Sequence, residues 1–249
     1  MNRACLLLIL GLLVGCGQSA EEPIRVSAAA STREALEQIA ADFRAATGLA
    51  VELNLGPSSD LARQIRQGGP ADLFLSADEA WADFLADNQL VAERRDTLTN
   101  RLVVVVPADS ALSLQALSDL AQEGVRRLAL AGPAVPAGRY AREALKAAGV
   151  WEPVQGRVLE AADVRATLTY VARGEADAGL VYATDAQDNP KVRVALPVKA
   201  DLHRPICYPL VLVRRDPIRP GARRLYDYLG SDKAAEVFRR FGFGLVPKR

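Results

Sequence analysis

The chain has 249 residues, half of them hydrophobic, and 31 basic against 30 acidic side chains leave a formal net charge of +1. With no basic run and no Lys/Arg stripe interleaved with aromatics, that balance argues against a nucleic-acid surface. One histidine, His203, and no Gly-x-Ser-x-Gly run leave little for a hydrolytic triad. No Cys/His cluster suggests a metal-cation site.

The amino terminus opens with a charge at Arg3 and an apolar run over residues 4–14. The run is too short to span a bilayer permanently and has the pattern of a signal-peptide core. It ends in Leu13-Val14-Gly15-Cys16, which resembles the bacterial lipobox. That resemblance implies cleavage before Cys16, lipidation of Cys16 and attachment to a membrane. Residues 1–15 are therefore expected to be a lipoprotein signal peptide and 16–23 a polar tether, with the folded body outside the cytoplasm. Cys5 leaves with the signal, so Cys207 is the one thiol of the folded body and no internal disulfide can form. Its position before an apolar strand makes a buried structural thiol the default reading.

From Ile24 onward strand and helix patterns alternate. Residues 24–29 read as a short apolar strand, and 32–47 have helical spacing at Leu36, Ile39, Ala40 and Phe43, ended by Gly48 at the C-cap. A strand over 51–55, a helix over 59–67, a strand over 72–76 and a helix over 81–87 follow. The β-branched run 102–107 suits a buried strand. Then come strand 128–131, helix 139–148, strand 158–159, helix 164–173, strand 178–181 and strand 209–214. Helices over 222–229 and 232–241 close the chain. Such alternation is the mark of an α/β architecture. Two lobes suit this length better than one oversized sheet: 24–102 plus 213–249 as the first, and 103–212 as the second. No Gly/Ser/Pro-rich linker separates them, so the apolar runs 102–107 and 209–214 are the expected crossings. Trp81 and Trp151 read as core or hinge packing, and His203 as a surface loop residue.

Several helix starts could hold an anion, because first-turn N–H groups lack helical partners and sit at the positive end of the macrodipole. Ala28-Ala29-Ala30-Ser31-Thr32 leaves a strand with small side chains, and Ser31 is a good N-cap. Gly56-Pro57-Ser58-Ser59 repeats the arrangement, Pro136 suits a first helical turn, and Asp163 can cap the helix that starts at Val164. Serine at an N-cap is also simply what helices prefer, so none of these positions is specific alone.

Taken together they resemble a known family. Ala28-Ala29-Ala30-Ser31, Ser58-Ser59-Asp60-Leu61-Ala62-Arg63-Gln64-Ile65, and Pro70-Ala71-Asp72-Leu73-Phe74-Leu75-Ser76-Ala77-Asp78 are similar to the molybdate-binding proteins of ABC importers. So are Val135-Pro136-Ala137-Gly138-Arg139-Tyr140-Ala141, Asp163-Val164-Arg165 and Gly179-Leu180-Val181-Tyr182-Ala183-Thr184-Asp185-Ala186. The similarity runs in order from about residue 24 to residue 243. It implies a two-lobed periplasmic-binding-protein type II fold with a ligand cleft between the lobes. Carried over by position, it implies an anion held by Ser31, Ser58, the backbone amides of Ala137 and Val164, and the Tyr182 hydroxyl. Gly56-Pro57 departs from the family pattern, which leaves Ser58 or Ser59 as the second serine. The implied function is capture of molybdate or tungstate for the permease of an ABC importer. The implied protein is a periplasmic lipoprotein and monomer, with no enzymatic activity, no cofactor and no metal beyond the molybdenum of its cargo.

The chemistry suits that cargo. Molybdate is fully deprotonated at neutral pH and only accepts hydrogen bonds. Phosphate still carries a proton and wants an acceptor, for which Asp60 and Asp163 are the candidates nearest in sequence. Sulfate shares molybdate's charge and shape, so a sulfate binder is the alternative, separated by cavity size alone.

Overall fold

The structure, a computed structural model, describes residues 22–187 and 189–247. The expected signal peptide, Cys16 and most of the tether lie outside the described residues. Among those described, no helix is long and apolar enough to cross a membrane.

The chain runs β1 (Ile24–Ala29), α1 (Arg33–Thr47), β2 (Val51–Gly56), α2 (Ser58–Arg66), β3 (Leu73–Leu75), α3 (Glu79–Asp87), β4 (Val91–Thr99) and β5 (Leu102–Pro107). It continues with β6 (Leu128–Ala131), α4 (Pro136–Ala147), α5 (Trp151–Val154), β7 (Val158–Ala161), α6 (Val164–Ala172), β8 (Ala178–Tyr182), α7 (Ala183–Ala186) and β9 (Val192–Pro197). The last elements are β10 (Cys207–Val213), α8 (Pro220–Leu229), α9 (Asp232–Arg240) and β11 (Gly244–Leu245).

These strands form two sheets, ordered β11-β4-β10-β3-β1-β2 and β7-β6-β8-β5-β9. In the first, β1 lies parallel to β2 and β3, and β10 runs antiparallel to β3 and β4. In the second, β6 is parallel to β7 and β8, while β5 is antiparallel to β8 and β9. The architecture is α/β with two lobes, as the alternation indicates.

Helices α1, α8 and α9 pack on the first sheet through Leu36, Ile39, Phe43, Leu225 and Phe238. A separate core holds α2 and α3 to it through Leu61, Ile65, Leu85, Phe74 and Val211. Each such side chain contributes about 1.5–3 kcal/mol on full burial. Gly48 ends α1 at φ 77°, a left-handed position that glycine adopts without a Cβ penalty.

The chain passes between lobes at Asn100 and Arg101, and again over residues 198–206, not on the runs the sequence suggested. The run 102–107 is β5, paired on both sides within the second sheet, and 209–214 overlaps β10, paired on both sides within the first. A strand flanked by two partners and covered by helices is apolar because it is central. That burial, rather than a bridging role, explains both runs. The lobe boundary moves accordingly: β10 belongs to the first lobe, although 103–212 was expected in the second.

Candidate functional site

Both sheets present the carboxyl ends of their parallel strands to one cleft, the usual place for ligands in open α/β sheets. Ala29 to Ser31 follow β1, Gly56 to Ser58 follow β2, and Ala77 follows β3. Opposite them stand residues 135–137 at the start of α4, Asp163 and Val164 at the start of α6, and Tyr182 at the end of β8. The cleft measures about 220 Å3 out to its mouth. Ser31, Ser58, Ala137, Val164 and Tyr182 all line it. Ser59 is buried as well but does not line the cleft, and its Oγ lies 3.4 Å from Asp60 Oδ1.

Local sequence explains why these groups are free. Pro136 takes the first position of α4, where its missing N–H costs nothing, so Ala137 carries the first amide of that helix. Asp163 caps α6 by accepting from Ala166 N at 2.8 Å, which leaves the Val164 amide without a helical partner. In α2 the N-cap is Pro57, whose side chain cannot cap, so the helix starts at Ser58, one residue before the sequence placed it. Ser58 Oγ instead accepts from Ala77 N at 3.1 Å.

Ser31 departs from its expected capping role. It lies in a short 3-10 turn over Ala30–Thr32, and its Oγ stands 3.1 Å from the buried Tyr208 hydroxyl. Tyr182 is 1% exposed, and its hydroxyl has no hydrogen-bond partner. Burial first, then the neighbouring Tyr208 and Tyr140 rings, push its pKa well above the usual phenol range, so it stays a donor.

No lysine or arginine lines the cleft among the described residues. Asp60 does not line it either and pairs with Arg63 at 2.5 Å. Asp163 spends Oδ1 on its own helix. The arrangement sets neutral donors from both lobes around a small space, with Asp163 the one carboxylate among its lining residues, and such a donor set suits a fully ionised tetrahedral anion.

Contacts between lobes flank the cleft. Asp78, beyond β3, sits 3.0 Å from Arg139 of α4; the pair has ion-pair distance without hydrogen-bond geometry. Trp81 Nε1 donates to Ala134 O at 3.1 Å, also across the lobes. On the other side Arg165 of α6 pairs with Glu34 of α1 and stands 3.4 Å from Asp185 of α7. Sequence reasoning named none of these as site residues, because the Asp78–Arg139, Trp81–Ala134 and Arg165–Glu34 contacts depend on how the two lobes meet, and Asp185 is set against Arg165 by the packing of α7 on α6.

A larger hollow, about 1170 Å3 counted to solvent, lies between Arg95 of β4, the Gly230-Ser231 turn and Val246. Among the described residues its one buried donor without a hydrogen-bond partner is Arg95 Nε, its lining comes from the first lobe alone, and size is a poor guide to a site for a small ion. Elsewhere Glu79, Asp96 and Cys207 offer ligand atoms within 4.8 Å of one another. Arg94 stands 3.7 Å from Glu79 and 3.6 Å from Asp96, and burial pushes the Cys207 thiol up to about 12, so the group reads as an ion-pair cluster.

Comparisons with known proteins identify the family and the fold. The model of the bacterial extracellular solute-binding protein family matches residues 24–244. The molybdate-binding protein ModA of Escherichia coli strain K12 is 40% identical over 232 residues, covering 90% of this chain and 89% of its own. The putative ABC transporter substrate-binding lipoprotein YvgL of Bacillus subtilis strain 168 is 39% identical over 224 residues, covering 88% and 85% respectively. Among solved structures, the periplasmic molybdate-binding protein of Azotobacter vinelandii superposes with a TM-score of 0.81 at 25% identity, covering 90% of this chain and all of that one.

Proposed function

The chain belongs to the bacterial extracellular solute-binding protein family, and from that premise we propose that it captures molybdate, and tungstate with it, for the permease of an ABC importer. The observation that carries this reading is the convergence of donors from both lobes on one small cleft, with the Tyr182 hydroxyl unpartnered inside it. Hydrogen bonds to a charged group contribute roughly 1.5–3 kcal/mol each, so the donors named here return on the order of 10 kcal/mol against the desolvation of the dianion. Ser31 and Ser58 act from one lobe, and the Ala137 amide, the Val164 amide and Tyr182 act from the other. Closure about the crossings at Asn100-Arg101 and 198–206 joins the two sets. The names of the similar proteins support molybdate as cargo and an ABC transporter as partner. The Leu13-Val14-Gly15-Cys16 motif supports a lipid anchor at Cys16 and a periplasmic, membrane-tethered location. The protein acts as a monomer, without cofactor, and as a binder rather than an enzyme.

Calorimetric titration of residues 17–249 with molybdate, tungstate, sulfate and phosphate tests the reading. Heat and thermal stabilisation with the first two and neither with phosphate are expected. No response to molybdate or tungstate would refute it, and equal response to sulfate would move the assignment to a sulfate binder.

Tyr182→Phe gives a second test with opposite signs in two measurements. The variant loses one charge-assisted hydrogen bond, so molybdate affinity is expected to fall about tenfold. Without anion it loses a buried hydroxyl that has no partner, so its melting temperature should match or exceed that of the parent. Unchanged affinity would remove Tyr182 from the site.

A further inference from the structure

We propose that Asn100 and Tyr208 are positioning residues that orient the Ser31 hydroxyl, so that Ser31 offers a proton rather than a lone pair to the bound oxyanion and disfavours oxyanions that carry a proton of their own. The proposal rests on the reading of the cleft as an oxyanion site.

The direction follows from donor inventories. Asn100 lies on the first crossing between lobes, and the Arg101 backbone N–H, which can only donate, meets its side chain at 2.8 Å. The atom facing Arg101 is therefore Oδ1, and Nδ2 faces the other way. It lies 2.9 Å from Thr184 Oγ1 and 3.2 Å from the Tyr208 hydroxyl. An amide NH2 cannot accept, so Asn100 donates to Tyr208.

Tyr208 is fully buried, and among the described residues its hydroxyl meets Asn100 Nδ2 and Ser31 Oγ, the latter at 3.1 Å. Its own proton then has one acceptor, Ser31 Oγ. The reverse orientation would leave a buried O–H unpaired, at a cost of about 1–3 kcal/mol. The relay runs Asn100 to Tyr208 to Ser31, and the Ser31 proton is left for the cleft. A ligand O–H at that contact would leave the Ser31 proton without an acceptor.

Ser58 is oriented by a separate means, because the Ala77 backbone N–H occupies its Oγ. Ser31 is thus the serine whose direction depends on side chains, and a substitution can release it. Thr184 belongs to the second lobe and Tyr208 to the first, so Asn100 also links the Ser31 direction to the crossing itself.

A double-mutant cycle tests the relay. Titrate the parent chain, Ser31→Ala, Tyr208→Phe and the double variant with molybdate and with inorganic phosphate. Tyr208→Phe is expected to weaken molybdate about tenfold and to narrow the preference for molybdate over phosphate. In the Ser31→Ala background the same change should have no further effect, because its action passes through Ser31. A purely structural role for Tyr208 would instead give additive losses and an unchanged preference, and either result overturns the proposal. Should Tyr208→Phe melt early, Asn100→Leu takes its place in the cycle with the same expected pattern. If the parent chain binds no oxyanion, the oxyanion reading fails and this inference with it. Parent binding with additive variants overturns the relay alone.

Discussion

Gly138→Ala is expected to reduce molybdate affinity by about a hundredfold. A Cβ at residue 138 would lie 2.2 Å from both Ala131 O and Gly132 O. Neither carbonyl can yield easily, because Ala131 is the last residue of β6 and Gly132 N is itself bonded to Ala161 O at 3.0 Å. The first turn of α4 must therefore move away from the sheet by about an ångström, and the Ala137 amide moves with it. Misplacement on that scale can cost a hundredfold where donors must match a rigid tetrahedral ion. The anchor on the other side of the same turn is lost as well, since Arg142 Nη1 bonds Ala131 O at 2.6 Å and Gly138 O at 3.0 Å. Titration with molybdate beside a thermal melt checks the result. An affinity within threefold of the parent would show that the position of the α4 turn does not matter to the anion.

What could be read from residues alone follows a physical division. Elements buried against helices announce themselves by period and β-branched content, as β1, β5, β6 and α1 do. Strand β4 does not, because Glu93, Arg94, Arg95 and Asp96 give it the composition of a solvated turn. Its charges are satisfied across space: Arg94 by Asp83 and Glu79, Glu93 by Arg223, and Arg95 over the ring of Tyr226. Strand β9 lies at a sheet edge with mixed exposure, so it too lacks a clean pattern. The donor-bearing helix starts were legible because capping chemistry is local: Pro136 and Asp163 act within a turn of themselves. The lobe to which β10 belongs was not legible, because membership is a matter of pairing. Nor was the partner of Ser31, since Tyr208 stands 177 residues away and nothing in Ser31's own neighbourhood distinguishes a cap from a relay.

Asp185→Asn should stabilise the protein by a few kcal/mol at pH 8 and by nothing measurable at pH 4. Asp185 is 2% exposed, and its Oδ2 has no hydrogen-bond partner. Burial is the largest influence and pushes its pKa from 3.8 up to about 7; Arg165 pulls it down, and Glu34 pushes it up again. The ion pair with Arg165 does not outweigh burial, because the contact is 3.4 Å and the guanidinium is shared with Glu34. The sign follows from proton binding. Below about pH 4 the carboxyl is protonated in folded and unfolded chains alike, so its contribution is fully present. Between there and about pH 7 only the folded state holds the proton, and stability falls by about 1.4 kcal/mol per pH unit. Above the folded pKa the loss is complete. Asparagine keeps the shape without the charge, so the melting-temperature gap between variant and parent should open from pH 4 to pH 8. A gap independent of pH would show that the buried carboxyl does not titrate in this range.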